Sequence, residues 1–164
     1  MSYFKQSVVG FGAGLALTLM ASAAFASTVV KVDLWDKGAA TPMGTGMGYA
    51  TPGLDMSKAT MGLKTSVASA PAGIVSFQVT NSSTDTVHEM IVMALADPSQ
   101  ALPYIAGDSK VDEHQGGDKG EVSELDPGKT GTLTVALKAG KYLLICNVAG
   151  HYMAGMSTPF EVTK

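Results

Sequence analysis

The C-terminal stretch YLLICNVAGHYMAGMSTPFEVTK, residues 142–164, contains the only cysteine of the chain, Cys146. His151 follows Cys146 after four intervening residues, and Met156 follows His151 after another four. The runs YLLICN (142–147) and TPFEVT (158–163) are predicted strands. The thiol therefore lies at the end of a strand, and the imidazole and the thioether lie on the loop that follows it.

This loop can bring its three donors around one point. Gly150 and Gly155 allow the backbone to turn sharply between Cys146, His151 and Met156. Thiolate and thioether favour copper, and imidazole suits it. The pattern therefore indicates a copper site. The alternative for Cys146 is a buried, inert cysteine, because free cysteine packs as a small hydrophobe.

The first 26 residues have the features of a secretory signal. Lys5 precedes the apolar run VVGFGAGLALTLM, and Ala24-Phe25-Ala26 fits the small-residue cleavage pattern. We expect cleavage after Ala26 and export, most simply to a bacterial periplasm. A retained N-terminal anchor is the alternative, although the apolar run is short and glycine-rich for a membrane span. Residues 27–164 are then expected to form a single domain.

Charge and cysteine content exclude several classes of protein. The formal net charge is −3 and the chain has no arginine, so we expect no binding to nucleic acid, which needs clustered basic residues. No second apolar run is long enough to span a membrane. A single cysteine cannot form an intramolecular disulfide, so the unpaired thiol of an exported protein needs an explanation, either as a buried inert residue or as a metal ligand.

Short alternating runs separated by turn residues predict an all-β sandwich or barrel. The region 36–65 has no clear assignment. The segment from Ala96 to Asp126 is predicted to be mostly loop, with a short helix near Pro98–Ile105. Besides the two C-terminal strands, the predicted strands are residues 28–35, 73–80, 86–95 and 128–137.

A trigonal copper site with two histidines, one cysteine and a weak axial methionine needs one more histidine. His88 lies in the predicted strand TVHEMIVM, whereas His114 lies in the polar, glycine-rich loop DEHQGGDKG. His88 is the better candidate because a metal site needs rigid, partly buried donors. His114 is expected to be a solvated loop residue.

Three stretches resemble the cupredoxins, the type 1 blue copper family that includes plastocyanin, azurin and rusticyanin. They are HEM (88–90), LDPGKTGTLTVALKAGKYLLIC (125–146) and CNVAGHYMAGM (146–156). The resemblance covers about residues 70–164, with 28–35 as a first strand, and the cysteine–histidine–methionine spacing is similar to that of rusticyanin.

The resemblance implies the fold and the site. It implies a Greek-key β-sandwich or barrel that binds one type 1 copper ion. By this resemblance His88, Cys146 and His151 are the trigonal ligands, and Met156 is the axial ligand.

Two positions depart from the family pattern. Many members have Asn directly after the first histidine, where this chain has Glu89. A carboxylate near copper lowers its reduction potential, although strand alternation also allows Glu89 to face outward. Asn147 stands where the family often has Ser or Thr, and we expect its side chain to hydrogen-bond to the His88 segment.

The family resemblance implies a periplasmic electron carrier that cycles between Cu(I) and Cu(II). The electron is expected to leave through the edge of His151 to a transient redox partner, such as a cytochrome or a copper enzyme. The acidic region 108–126 either steers a basic partner or keeps the protein in solution. We expect a monomer.

The alternative function is copper tolerance or delivery. It is based on Met43, Met47, Met56 and Met61, because thioethers bind Cu(I); these residues are otherwise core fillers. No enzyme is expected. Copper oxidases and nitrite reductases need further histidine-rich centres, and this chain has three histidines in all. A cysteine–histidine hydrolase lacks an evident third group to orient the histidine.

Overall fold

A computed structural model describes residues 27–164, and the predicted signal segment 1–26 lies outside the described residues. These residues form an all-β sandwich, which confirms the predicted fold class. The strands are β1 (Thr28–Asp36), β2 (Met61–Thr65), β3 (Ser69–Pro71), β4 (Gly73–Asn81), β5 (His88–Ala94), β6 (Tyr104–Ile105), β7 (Lys110–Val111), β8 (Asp118–Leu125), β9 (Thr130–Leu137), β10 (Gly140–Ile145) and β11 (Ser157–Thr163). The described residues also contain one α-helix, α1 (Glu113–Gly116), and 3₁₀ turns at Met56–Lys58 and Tyr152–Ala154.

The strands form two main sheets and a small ribbon. The first sheet has the order β2-β1-β4-β9, the second has the order β3-β11-β10-β5-β8, and β6 pairs with β7. The chain crosses between the two main sheets five times, from β2 to β3, from β3 to β4, from β4 to β5, from β8 to β9 and from β9 to β10. Strands that are neighbours in sequence therefore often lie in opposite sheets, as expected of a β-sandwich rather than of a simple series of hairpins.

The main core lies between the two sheets. Alternate residues of the first sheet point inward, as the sequence pattern of β4 predicts, and meet the inner face of β10 and β11. The rings of Phe77 and Phe160 meet edge to face at a centroid distance of 5.4 Å. Fully or almost fully buried residues here include Val30, Val32, Leu34, Val75, Phe77, Val79, Leu144, Phe160 and Val162.

A second apolar cluster covers the outer face of β5 and β10. Ile91 and Leu143 point into it, and Leu102 and Val111 from the segment between β5 and β8 pack over them. Every residue of β5 from His88 to Met93 is therefore buried. A strand buried on both faces has no polar side, so alternation along β5 does not predict exposure.

The segment between Ala96 and Asp126 contains more structure than predicted. The helix expected near Pro98–Ile105 is wrong, because Tyr104–Ile105 forms β6 and α1 begins only at Glu113. The long strand β8 (Asp118–Leu125) was not predicted either. It lies at the edge of its sheet with only Val122 fully buried, so the apolar alternation that identifies a strand is absent.

The methionine-rich segment 43–61 runs across the end of the sandwich where the Cys146 loop lies. The backbone N–H of Met47 donates to the carbonyl oxygen of Met153 at 2.9 Å. A Cβ atom at Gly48 would lie 2.8 Å from the ring of Tyr152, so this close approach requires glycine. The segment therefore packs tightly against the predicted metal-binding loop.

Within residues 27–164, no helix has the length and apolar character needed to cross a membrane.

Candidate metal centre

The structure brings His88, Cys146 and His151 together. The Sγ atom of Cys146 lies 3.4 Å from Nδ1 of His151 and 4.0 Å from Nδ1 of His88. The two Nδ1 atoms are 3.2 Å apart. All three residues are buried, and His151 is the most exposed of them at 6 %. Among the described residues, this is a set of donors close enough to hold one metal ion.

Strand pairing explains why distant residues meet here. β5 begins at His88, and β10 ends one residue before Cys146. The two strands are antiparallel neighbours, with Ile91 opposite Ile145. The beginning of one strand therefore lies beside the end of the other. Two donors that are 58 residues apart in the chain are fixed by the sheet itself.

The third donor depends on a compact loop. Gly150 and Gly155 adopt φ values of +84° and +105°, in the region that favours glycine, as their predicted role in the turn requires. The N–H of Met156 donates to the carbonyl of His151, and the N–H of Cys146 donates to the carbonyl of Met156, both at 3.1 Å. The loop thus folds back on itself and places the backbone groups of Cys146, His151 and Met156 next to one another.

Met156 is fully buried in the same core cluster as Cys146. Its backbone contact with Cys146 places it at the same end of the sandwich. Its role as an axial ligand stays a prediction. His114 lies exposed on α1, outside the donor set.

Glu89 lies on the outer face of β5, as strand alternation allows, but it is not exposed there. Its side chain is buried because the segment between β5 and β8 covers the outer face of β5. Its Oε1 atom accepts from the N–H of Asn147 at 3.0 Å, and its own N–H donates to Sγ of Cys146 at 3.5 Å. Burial, together with repulsion from Glu121, raises the pKa of Glu89 to about 7.

Asn147 links the site to the covering segment. Its Oδ1 atom accepts from the N–H of Val111 at 2.7 Å, and its Nδ2 donates to the carbonyl of Val111 at 3.0 Å. Nδ2 also donates to Oε1 of Glu113 at 2.8 Å. The expected link between Asn147 and the His88 segment exists, but the backbone N–H makes it, to Glu89, and the side chain does not.

Asp36 was missed by the sequence analysis. Its Oδ2 atom lies 2.7 Å from Nε2 of His88, and its Oδ1 accepts from the N–H of Gly38 at 2.6 Å. Burial alone would raise the pKa of Asp36, but hydrogen bonds with Ser83 and His88 outweigh it and lower that pKa. A signal was available: the inward alternation of β1 through Val30, Val32 and Leu34 continues to position 36.

The protonation of the other two donors follows from burial. Burial raises the pKa of the Cys146 thiol to about 12, so the metal-free protein carries a protonated thiol. Burial is the main cause that lowers the pKa of His151 to about 4, so His151 is neutral over most of the pH range. Binding a metal to the thiolate would therefore release a proton.

A cavity of about 270 Å³ reaches His151 from the outside. Its wall includes thioethers and a carboxylate as well as the imidazole: the lining comprises Asp36, Gly38, Ala39, Thr41, Pro42, Met43, Thr60, Met61, Thr86 and His151.

No protein-family model matches the chain, and no curated protein sequence is significantly similar to it. Solved structures do match. Dithionite-reduced auracyanin from Roseiflexus castenholzii has a TM-score of 0.51 and 15% identity, with 85% of this chain and 98% of that chain covered. This chain has the cupredoxin fold.

Two further structures support the cupredoxin fold. Auracyanin A, a "blue" copper protein from Chloroflexus aurantiacus, has a TM-score of 0.51 and 17% identity over 84% of this chain and all of that one. Rusticyanin from Thiobacillus ferrooxidans has a TM-score of 0.51 and 16% identity over 84% of this chain and 79% of that one. At these identities the likeness establishes the fold alone.

On the cupredoxin fold, the donor chemistry fits copper. The three donor atoms lie 3.2–4.0 Å from one another, so an ion placed among them lies about 2 Å from each, a normal metal–ligand distance. A thiolate with two imidazoles is the equatorial set of a blue copper site. The residues present therefore suit the metal that the fold implies.

Proposed function

We propose that this protein is a periplasmic type 1 copper protein that carries single electrons and is not an enzyme. His88, Cys146 and His151 would hold one copper ion in a trigonal plane, with Met156 as the axial ligand. The observation that carries the proposal is the convergence of one thiol and two imidazoles at the Cys146 loop of a cupredoxin fold. When bound, copper supplies a centre that gains and loses one electron between Cu(I) and Cu(II).

The chain contributes rigidity. His88, Cys146 and Met156 have no exposed surface, and the N–H of Glu89 donates to Sγ of Cys146. The carboxylate of Glu89 in turn binds the backbone of Asn147. Donors held in this way rearrange little when the charge of the site changes, and a small rearrangement favours fast electron transfer.

His151 is the proposed exit for the electron. It is the only one of the three donors that retains exposed surface, and it lines the cavity beside Met43. A small exposed surface of this kind suits a brief encounter with a redox partner, such as a cytochrome or a copper enzyme. The acidic residues would steer a basic partner: they are Asp108, Asp112, Glu113, Asp118, Glu121, Glu124 and Asp126.

Absorption and EPR spectra of the copper-loaded protein test this proposal. We expect an intense visible band from the thiolate–copper bond, and we expect Cys146→Ser to abolish it. His114→Ala is the matched control, because His114 is exposed on α1, and it should keep the colour. An intense band in Cys146→Ser would refute the ligand assignment.

Export is tested separately. Expression of the full chain in a Gram-negative host should yield a periplasmic protein that begins at Ser27, as read by intact mass. A protein that retains residues 1–26 and sediments with membranes would favour the anchored alternative.

Copper tolerance or delivery is the second candidate, and one observation favours it. Met43 and Met61 line the cavity that reaches His151, which places two thioethers beside a metal donor. Titration with Cu(I) discriminates, because a handling role predicts more than one equivalent per chain. Binding of a single equivalent, unchanged in Met43→Leu, would count against it.

A further inference from the structure

We propose that Asp36 is a positioning residue that fixes the orientation of His88 and the location of its ring proton. By accepting a hydrogen bond from Nε2–H, its carboxylate leaves Nδ1 of His88 free to face Cys146 and His151. This inference deepens the proposed function and rests on it for the identity of the metal.

The contact is short and enclosed. Nε2 of His88 lies 2.7 Å from Oδ2 of Asp36, and the two side chains are 0 % and 4 % exposed. Asp36 is itself held, because its Oδ1 accepts from the N–H of Gly38 at 2.6 Å. The imidazole therefore has no exposed surface of its own, although Asp36 also lines the cavity that reaches His151, and the contact with Gly38 limits how far the carboxylate can turn away.

Hydrogen-bond chemistry then assigns the proton. An ionised carboxylate can only accept, so Nε2 of His88 carries the hydrogen and Nδ1 of the neutral ring has a free lone pair. Nδ1 is the atom that lies near Sγ of Cys146 and Nδ1 of His151. Asp36 thus selects the tautomer of His88 that a metal ion at this site requires.

The charge of Asp36 has a separate effect. A carboxylate makes its imidazole partner a stronger donor to the metal than a neutral acceptor does. It also stabilises the more highly charged Cu(II) state relative to Cu(I). Removal of the charge should raise the midpoint potential of the copper couple. Removal of the hydrogen bond together with the charge should, in addition, weaken metal binding.

Two substitutions separate these effects. Asp36→Ala removes both the acceptor and the charge. Asp36→Asn removes the charge and keeps one acceptor oxygen, which can still accept from Nε2–H of His88, while its amide nitrogen replaces the oxygen that accepts from Gly38. Asp33→Asn is the matched control. It removes a carboxylate charge from the same strand, β1, at a position that faces the opposite side of the sheet from Asp36.

The first measurement uses the metal-free protein. Proton–nitrogen NMR of ¹⁵N-histidine-labelled protein should show a single Nε2–H tautomer for His88 in the wild type, Asp33→Asn and Asp36→Asn. Asp36→Ala should show a mixture of tautomers. A single unchanged tautomer in Asp36→Ala would overturn the proposal.

The second measurement uses copper. We expect Cu(II) affinity to fall at least about tenfold in Asp36→Ala, and the midpoint potential to rise in Asp36→Asn but not in Asp33→Asn. If Asp36→Ala does not fold, the wild type still decides, because a His88 without a single Nε2–H tautomer would overturn the proposal, and an unchanged potential in Asp36→Asn would refute the effect of the charge. A wild-type protein with the expected tautomer but no intense copper band would refute the proposed function and leave the role of Asp36 standing.

Discussion

The two histidines of the donor set are held in different ways. His88 begins a strand that is buried on both faces, and a buried carboxylate fixes its far nitrogen. His151 lies on a loop shaped by Gly150 and Gly155, next to an open cavity. The sheet thus determines the geometry on one side of the site, and the loop determines access to the other side.

This difference separates two requirements of the proposed electron carrier. The metal needs a fixed set of donors, and the electron needs a short path to the surface. The strand side of the site meets the first requirement, since His88 and Cys146 have no exposed surface. The loop side meets the second, since His151 retains some exposure and lines the cavity.

The largest predicted effect contrasts the two histidines directly. Copper binding should be lost in both His88→Gly and His151→Gly. Added imidazole should restore the visible band only in His151→Gly, because a cavity of about 270 Å³ adjoins that position and His88 is completely enclosed. Absorption titrations with imidazole measure this, and equal recovery of the two variants would break the comparison.

The strand side of the site, which holds His88 and Cys146, should also depend on the segment between β5 and β8 that covers the outer face of β5. Asn147→Ala removes both hydrogen bonds that Asn147 makes to the buried backbone of Val111. Leaving those groups unpaired should lower the free energy of unfolding by about 3 kcal/mol, as measured by urea denaturation of the metal-free protein. Gln78→Ala, at an exposed position of β4, is the control. A loss no larger than that of the control would show that the covering segment does not support the site.

Glu89 should make the stability of the metal-free protein depend on pH. Its folded pKa of about 7 exceeds the ordinary value of 4.5, so the folded state binds a proton that the unfolded state has released. This contribution is complete below about pH 4.5 and is lost as the pH rises through 7.

Relative to Glu89→Gln, the wild type should therefore lose about 2 kcal/mol of unfolding free energy between pH 5 and pH 7. His151, whose pKa burial lowers to about 4, titrates in both proteins and cancels in the difference. Urea denaturation at both pH values provides the measurement. Glu124→Gln, at an exposed position, is the control, and relative to it the wild type should show no such loss. If the unfolding free energies of the wild type and Glu89→Gln changed in parallel with pH, this result would contradict the burial of the Glu89 carboxylate.

The smallest predicted effect concerns the loop side. Gly155→Ala places a side chain at a φ of +105° and a Cβ atom 3.0 Å from Cβ of Ala59. We expect a loss of about 1 to 2 kcal/mol. Gly46→Ala, with a φ of +70° and no atom within 4 Å of the added Cβ, controls for backbone strain alone. Thermal unfolding compares the two, and a smaller loss in Gly155→Ala than in Gly46→Ala would show that the loop tolerates the contact.

The sequence predicted the strands that carry one apolar face. β4 is an example, because Val75, Phe77 and Val79 alternate and are buried. It did not predict β8, whose sequence DKGEVSEL offers a single fully buried residue, Val122. An edge strand needs little apolar surface, so its hydrogen bonds to β5 are not visible in the pattern.

The donor set was also visible in the sequence, since residue type and loop spacing predicted His88, Cys146 and His151 as neighbours. The residues around the donors were harder to predict. The position of Glu89 depends on Leu102 and Val111, which cover β5 from a distant segment. Alternation along β1 points to an inward Asp36, but its contact with His88 joins two different sheets, and no local pattern encodes which residues meet across the sandwich.

The large separations of the donors along the chain also determine at which stage of folding the site can form. Asp36 precedes His88 by 52 residues, and His88 precedes Cys146 by 58. Contacts between such distant residues form late, because the intervening chain must first be closed into loops. Copper would therefore find its donors assembled only after the sandwich has folded, and bound metal would act mainly by stabilising the finished structure. Recovery of the visible band during refolding would then follow the completion of folding, and a fragment lacking the first strand would have no stable colour.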